Sequence, residues 1–146
     1  MLRAPRIRIL IASGARARLV ERQQDHPDPV TVSEIHPHPH HGHGHGPASE
    51  SFEHASGAGR SSNGDRGDTA RRIKAFAGQI AEVINGQFKK GEFERLGLIC
   101  PPRLMKEVRE HLTEGARATI QFELPKDLTK YGNHELRQWL HNPAVV

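Results

Sequence analysis

Six histidines, His36, His38, His40, His41, His43 and His45, fall within ten residues of this chain. Neutral imidazole is a ligand for Zn²⁺, Ni²⁺ and Cu²⁺. The prolines and glycines between the histidines keep the tract out of helix and strand, so it can wrap around an ion. Zn or Ni on this tract is therefore the metal chemistry on offer, and nothing in the chain requires a cofactor. No cysteine lies near the tract, and no fixed carboxylate or outer shell can be named. That argues against a closed structural zinc site and more strongly against a catalytic one. The same residues also read as a low-complexity linker, or as a partly protonated loop that meets anions.

A second group is basic. Arg60, Arg66, Arg71, Arg72 and Lys74 gather around a glycine-rich stretch that leads into a helix. Backbone N–H groups at a helix start favour phosphate, and the cations add to that attraction. RNA or a ribosome is the partner such a surface suits. Asp65 and Asp68 interrupt the charge, so a solvated helix face is the plainer alternative. Phe52 is the one aromatic nearby, which leaves base stacking unsupported. Arg6, Arg8, Arg16 and Arg18 form a further basic cluster near the start of the chain.

Nucleophilic chemistry finds no constellation. Ser49, Ser51, Ser56, Ser61 and Ser62 lie in loop-like sequence without a G-x-S-x-G setting. GAGRSSNG lacks the Lys–Ser/Thr ending of a phosphate-binding P-loop. His111 and Glu107, one helical turn apart, read as an exposed pair. Asp127 and Thr129 read first as a turn, since both side chains bond nearby backbone readily. Cys100, the one cysteine, sits in an apolar run and reads as a small buried hydrophobe. No disulfide framework is possible within the chain, which fits a reducing compartment.

The elements that must position these residues follow from hydrophobic period and turn chemistry. The chain of 146 residues is expected to be a single domain, residues 1–146, with a disordered His/Gly/Pro/Ser-rich insert at about 36–67. Without the stretch from Gln23 to Asp68, roughly 100 residues remain to build one modest core. Net charge is +4. The Arg-rich, acid-poor start could be a transit peptide, but Ile7, Ile9 and Ile11 alternate and read better as strand. The apolar run Ile9–Ala12 is too short for a membrane span, so a soluble cytoplasmic protein is expected.

Strands are expected over Arg6–Ala12, Ala15–Arg22 and Val30–Ile35, joined as an antiparallel meander. A helix capped at Asp68–Thr69 should present Ile73, Phe76, Ala77, Ile80, Ile84 and Phe88 on one stripe and end at Gly91. Leu96–Cys100 reads as a strand covered on both faces. Pro102 should open a helix carrying Leu104, Val108 and Leu112, closed by Gly115. Thr119–Leu124 alternates and should run parallel to Leu96–Cys100, because a helical crossover joins them. Asn133 should cap a last helix bearing Leu136, Trp139 and Leu140. The sum is an α/β fold: a three-strand antiparallel meander, then α-β-α-β-α, in a mixed sheet of about five strands.

Several stretches together resemble one family. They are ILIASGARARLVER at the start, then Arg95–Leu96 entering an apolar run, Pro101–Pro102–Arg103, and LPKDLTKYGNHEL near the end. This order is similar to that of the bacterial host attachment protein group, and the His-rich stretch from His36 to Gly67 lies outside the likeness. The resemblance implies a fold like the middle domain of archaeal and eukaryotic peptide-chain release factors, which is RNase H-like. It also implies a non-enzymatic module that contacts a ribosome or structured RNA through the loop before the long helix. In release factors a Gly–Gly–Gln on that loop serves ester hydrolysis. Here residues 57–68 contain no Gln, and Asn85–Gly86–Gln87 falls late in the expected helix, as a coincidence of sequence. A metal-responsive protein acting through the His tract is the second reading, and a hydrolase of RNA-linked esters the third.

Overall fold

The computed structural model describes residues 4–39 and 61–140, with 61–66 described by backbone alone. In chain order the elements are β1 (Ile7–Ala12), β2 (Ala17–Glu21), β3 (Val30–Ile35), α1 (Ser61–Lys89), β4 (Arg95–Ile99), α2 (Pro102–His111), α3 (Glu114–Ala118), β5 (Ile120–Leu124) and α4 (Asn133–Leu140). The strands form one mixed sheet ordered β3-β2-β1-β4-β5. β1, β2 and β3 are the expected antiparallel meander, and β4 runs parallel to both β1 and β5.

Period-two geometry sends alternate residues to opposite faces, and each face has its own cover. Leu10, Leu19, Leu96 and Leu98 pack with Phe76, Ile80 and Ile84 of α1 and with Leu104 and Val108 of α2. Ile9, Ile11, Val20, Ile99 and Phe122 pack on the other face with Leu128, and with Leu136 and Leu140 of α4. β1 and β4 therefore have apolar residues on both faces, as their unbroken apolar runs require.

α1 ends as expected. Gly91 takes φ of +73°. Its N–H donates to the Phe88 carbonyl, and that of Glu92 to the Gln87 carbonyl, the paired bonds of a glycine C-cap. Its start differs from expectation. The helix already includes Ser61, so Asp68–Thr69 lie inside it and do not cap it. The insert expected over 36–67 is correspondingly helical from 61 onward. Glycine and Asp–Ser runs lower helix propensity by about 1 kcal/mol per glycine, yet that local cost does not end α1 here.

The crossover from β4 to β5 also differs, because it contains two helices. α2 stops at His111, and Thr113 caps α3 by accepting a hydrogen bond from the Ala116 N–H. Gly115 thus sits within α3 and does not close α2. A Cβ there would come within 2.8 Å of the Phe88 ring, so its missing side chain lets α3 approach α1.

Candidate functional site

The strand registers collect the loops of interest at one end of the sheet. Ala12 pairs with Ala17, and Ala17 with Ile35. Ile11 pairs with Ile99, and Ile99 with Leu124. The Ser13–Arg16 turn, the chain leaving β3 at His36, Pro101 and the Pro125–Thr129 loop therefore all lie at the carboxyl ends of the parallel strands. Ligands of open α/β sheets ordinarily bind at that end.

Two cavities open there. The first, of about 130 Å³, is lined by Ile11, Arg16, Ala17, Arg18, Glu34, His36 and Thr129. The second, of about 360 Å³, is bounded by Gly14, Pro37, His38, Pro39, Arg72, Ala75, Phe76 and Gln79. The His36–Pro39 segment stands between them and is pinned to α1. Gln79 donates from Nε2 to the His36 carbonyl at 3.0 Å, and its Oε1 accepts from the His38 N–H at 2.9 Å.

The two arginines of the opening segment bind the closing loop. Arg16 Nη2 donates to the Thr129 carbonyl at 2.9 Å. Arg18 donates to the same carbonyl at 3.4 Å, to the Tyr131 carbonyl at 2.6 Å and to Asn133 Oδ1 at 3.1 Å. Asn133 continues the chain of bonds to Thr31 Oγ1 on β3 at 2.9 Å. The loop is shaped from within by Asp127, whose Oδ1 accepts from the Thr129 N–H at 3.0 Å and from its hydroxyl at 2.5 Å. Asp127 and Thr129 thus take the turn role. Burial, and then the neighbouring Arg16 charge, hold the Arg18 pKa below its ordinary value, while Glu34 pulls the other way.

The sequence-predicted residues divide by place. His36 faces the first cavity, and His38 and Arg72 share the second. His36 Nε2 also lies 3.8 Å from Glu34 Oε1. Arg71 pairs with Asp68 at 2.5 Å on an exposed face of α1, and Lys74 is exposed one turn on. His40, His41, His43, His45 and Arg60 lie outside the described residues, as does the side chain of Arg66. Among the described residues, no group of three or more His, Cys, Asp or Glu is placed to hold a metal ion.

The Asn85–Gly86–Gln87 string serves the fold. Asn85 Oδ1 accepts from the Thr113 N–H at 2.9 Å, and its Nδ2 donates to the His111 carbonyl at 3.2 Å, fixing the α2–α3 junction. Gln87 accepts from Arg8 and donates to Ser33 Oγ at 2.9 Å. Arg8 itself is only 2% exposed. Its guanidinium reaches Glu21 at 2.9 Å and the Glu92 carbonyl at 3.2 Å, and lies over the Phe93 ring. A buried arginine needs such partners. Strand alternation carries the one sequence signal for this network, since Arg8 shares the face of Leu10 and Ala12. Arg18 is legible in the same way, two residues from the apolar Val20 on the face that meets the closing loop.

The model of the family described as "Protein required for attachment to host cells" matches residues 8–140, from the buried Arg8 to the end of α4. The match covers most of the chain, and the protein belongs to that family. No match is found among curated proteins.

Proposed function

Starting from that membership, we propose that the protein is a macromolecular interaction module of the host-attachment family, whose partner is structured RNA, on the ribosome or apart from it. One observation carries the reading: Arg16 and Arg18 line one cavity at the carboxyl end of the sheet, and Arg72 lines the neighbouring one. Among the described residues, Glu34 is the one acid lining either cavity there. Guanidinium groups suit phosphate because their planar N–H pairs match its oxygens. Exposed Lys74 extends positive charge along α1 beyond the cavities, while the charge of Arg71 is shared with Asp68. The release-factor likeness implied by the sequence points to the same class of partner, by analogy of fold.

An esterase reading has less support. Both polar members of the Asn85–Gly86–Gln87 string are taken up by internal hydrogen bonds. A metal role for the His tract rests on composition, with His36 and His38 its described members. Among the described residues no helix is long and apolar enough to cross a membrane.

Co-sedimentation with ribosomes over a salt series tests the proposal. Association at low salt that falls away steadily as salt rises is expected, because counterion release drives phosphate binding. Absence of ribosome and RNA association at low salt would overturn the partner.

A further inference from the structure

We infer that the small cavity between Arg16, Arg18, His36 and Thr129 binds a tetrahedral oxyanion, a phosphate group. This deepens the reading of the same end of the sheet, and the two can fail separately.

Strand geometry brings the two arginines together. Arg16 and Arg18 are two residues apart across the start of β2, so both side chains leave on one face. Both reach the same carbonyl, that of Thr129. Two cations are thereby held side by side, one of them half-buried. Among the described residues no carboxylate lies within ion-pair distance of either. Glu34, the cross-strand partner of Arg18 on β3, lines the same cavity and offsets part of that charge without coming within ion-pair distance. Two cations so placed repel each other, and an anion between them relieves the repulsion.

Donors remain to bind that anion. A guanidinium carries five N–H groups. Arg18 directs three hydrogen bonds to the closing loop and α4, and Arg16 directs one. The rest of Arg16's fork is available, and Arg16 is exposed where Arg18 is not. Arg18 then supplies a fixed charge and Arg16 an adjustable clamp. The cavity of about 130 Å³, set against about 30 Å³ per water in the liquid, holds a group the size of phosphate. Glu34 opposes the anion, and its Oε1 lies 3.8 Å from His36 Nε2. Removing that opposing charge should tighten binding.

The test is an NMR titration of the full chain with inorganic phosphate at fixed pH and ionic strength, with chloride as reference. Saturable shifts concentrated at Arg16, Arg18, His36 and Thr129 are expected. Arg16→Gln should weaken binding about tenfold or more, the worth of one charge-assisted hydrogen bond. Arg16 precedes β2 and is exposed, so this variant should fold. Glu34→Gln should tighten binding several-fold, an effect that a purely structural arginine clasp would not give. Shifts equal to those in chloride, or wild-type affinity in Arg16→Gln, would overturn the site. A short 5′-phosphorylated oligoribonucleotide that displaces phosphate, where its dephosphorylated form does not, identifies a nucleic-acid end as the source. Failure to displace assigns the site to free phosphate. Saturable phosphate binding without ribosome association keeps the site and removes the RNA partner.

Discussion

Cys100 shows how strongly position decides the chemistry of a single side chain. It is fully buried, and burial pushes its thiol from 9.0 up to about 12, with Glu123 adding to the rise. A raised folded-state value means that the protonated thiol is favoured by folding. Its contribution is complete below about pH 9 and is lost as pH climbs toward 12. Compared with Cys100→Ala, the wild type should therefore lose up to about 1.4 kcal/mol of extra stability per pH unit above pH 9. Urea denaturation of both proteins at pH 8 and pH 10 measures the difference, and parallel behaviour would contradict the burial argument. Gly97 is the second case. A Cβ there would fall 2.2 Å from the Phe122 ring, which lies across the glycine. Gly97→Ala should cost about 1–3 kcal/mol through overpacking, and Phe122→Leu in the same chain should recover part of it. A Gly97→Ala protein as stable as wild type in chemical denaturation would show that the ring moves aside freely.

Elements were legible where burial and periodicity agree. β4 is an interior strand because Leu96, Leu98 and Ile99 fill both faces, and the apolar run announces it. Leu98→Asp should abolish cooperative folding, since it places an unpaired carboxylate among apolar side chains with no water. A soluble Leu98→Asp protein with a sharp thermal transition would disprove that placement. The meander of β1, β2 and β3 was legible for the same reason, and so was the glycine stop of α1 at Gly91. The start of α1 was not, because Ser, Gly and Asp before Ala70 carry loop propensities that the helix overrides. α3 was hidden for another reason. Its first turn depends on Thr113 meeting Asn85, a contact between residues 28 positions apart that no local pattern reveals.

For the molecule as a whole, the informative contacts join the two ends of the chain. Arg16 and Arg18 near the start bind Thr129, Tyr131 and Asn133 near the end. The sequence offered Arg60, Arg66, Arg71, Arg72 and Lys74 as the partner-facing group, but not the sharing of one cavity by Arg72 and His38, nor of another by Arg16, Arg18 and His36. Those neighbours come from strand register and from Gln79, which holds the His36–Pro39 segment on α1. In the proposed function this end of the sheet, together with the first turns of α1, carries an anionic macromolecule. The salt dependence of ribosome binding, compared between the wild type and the combined Arg66→Glu, Arg71→Glu, Arg72→Glu variant, decides whether it does. Arg71 and Arg72 are exposed on α1, off the Ile73–Phe76–Ile80 stripe, and a thermal melt of the variant checks that folding survives. The variant should bind more weakly and with a shallower slope, by roughly one unit for each phosphate it no longer neutralises. Equal affinity and equal slope for the two proteins would contradict the proposal.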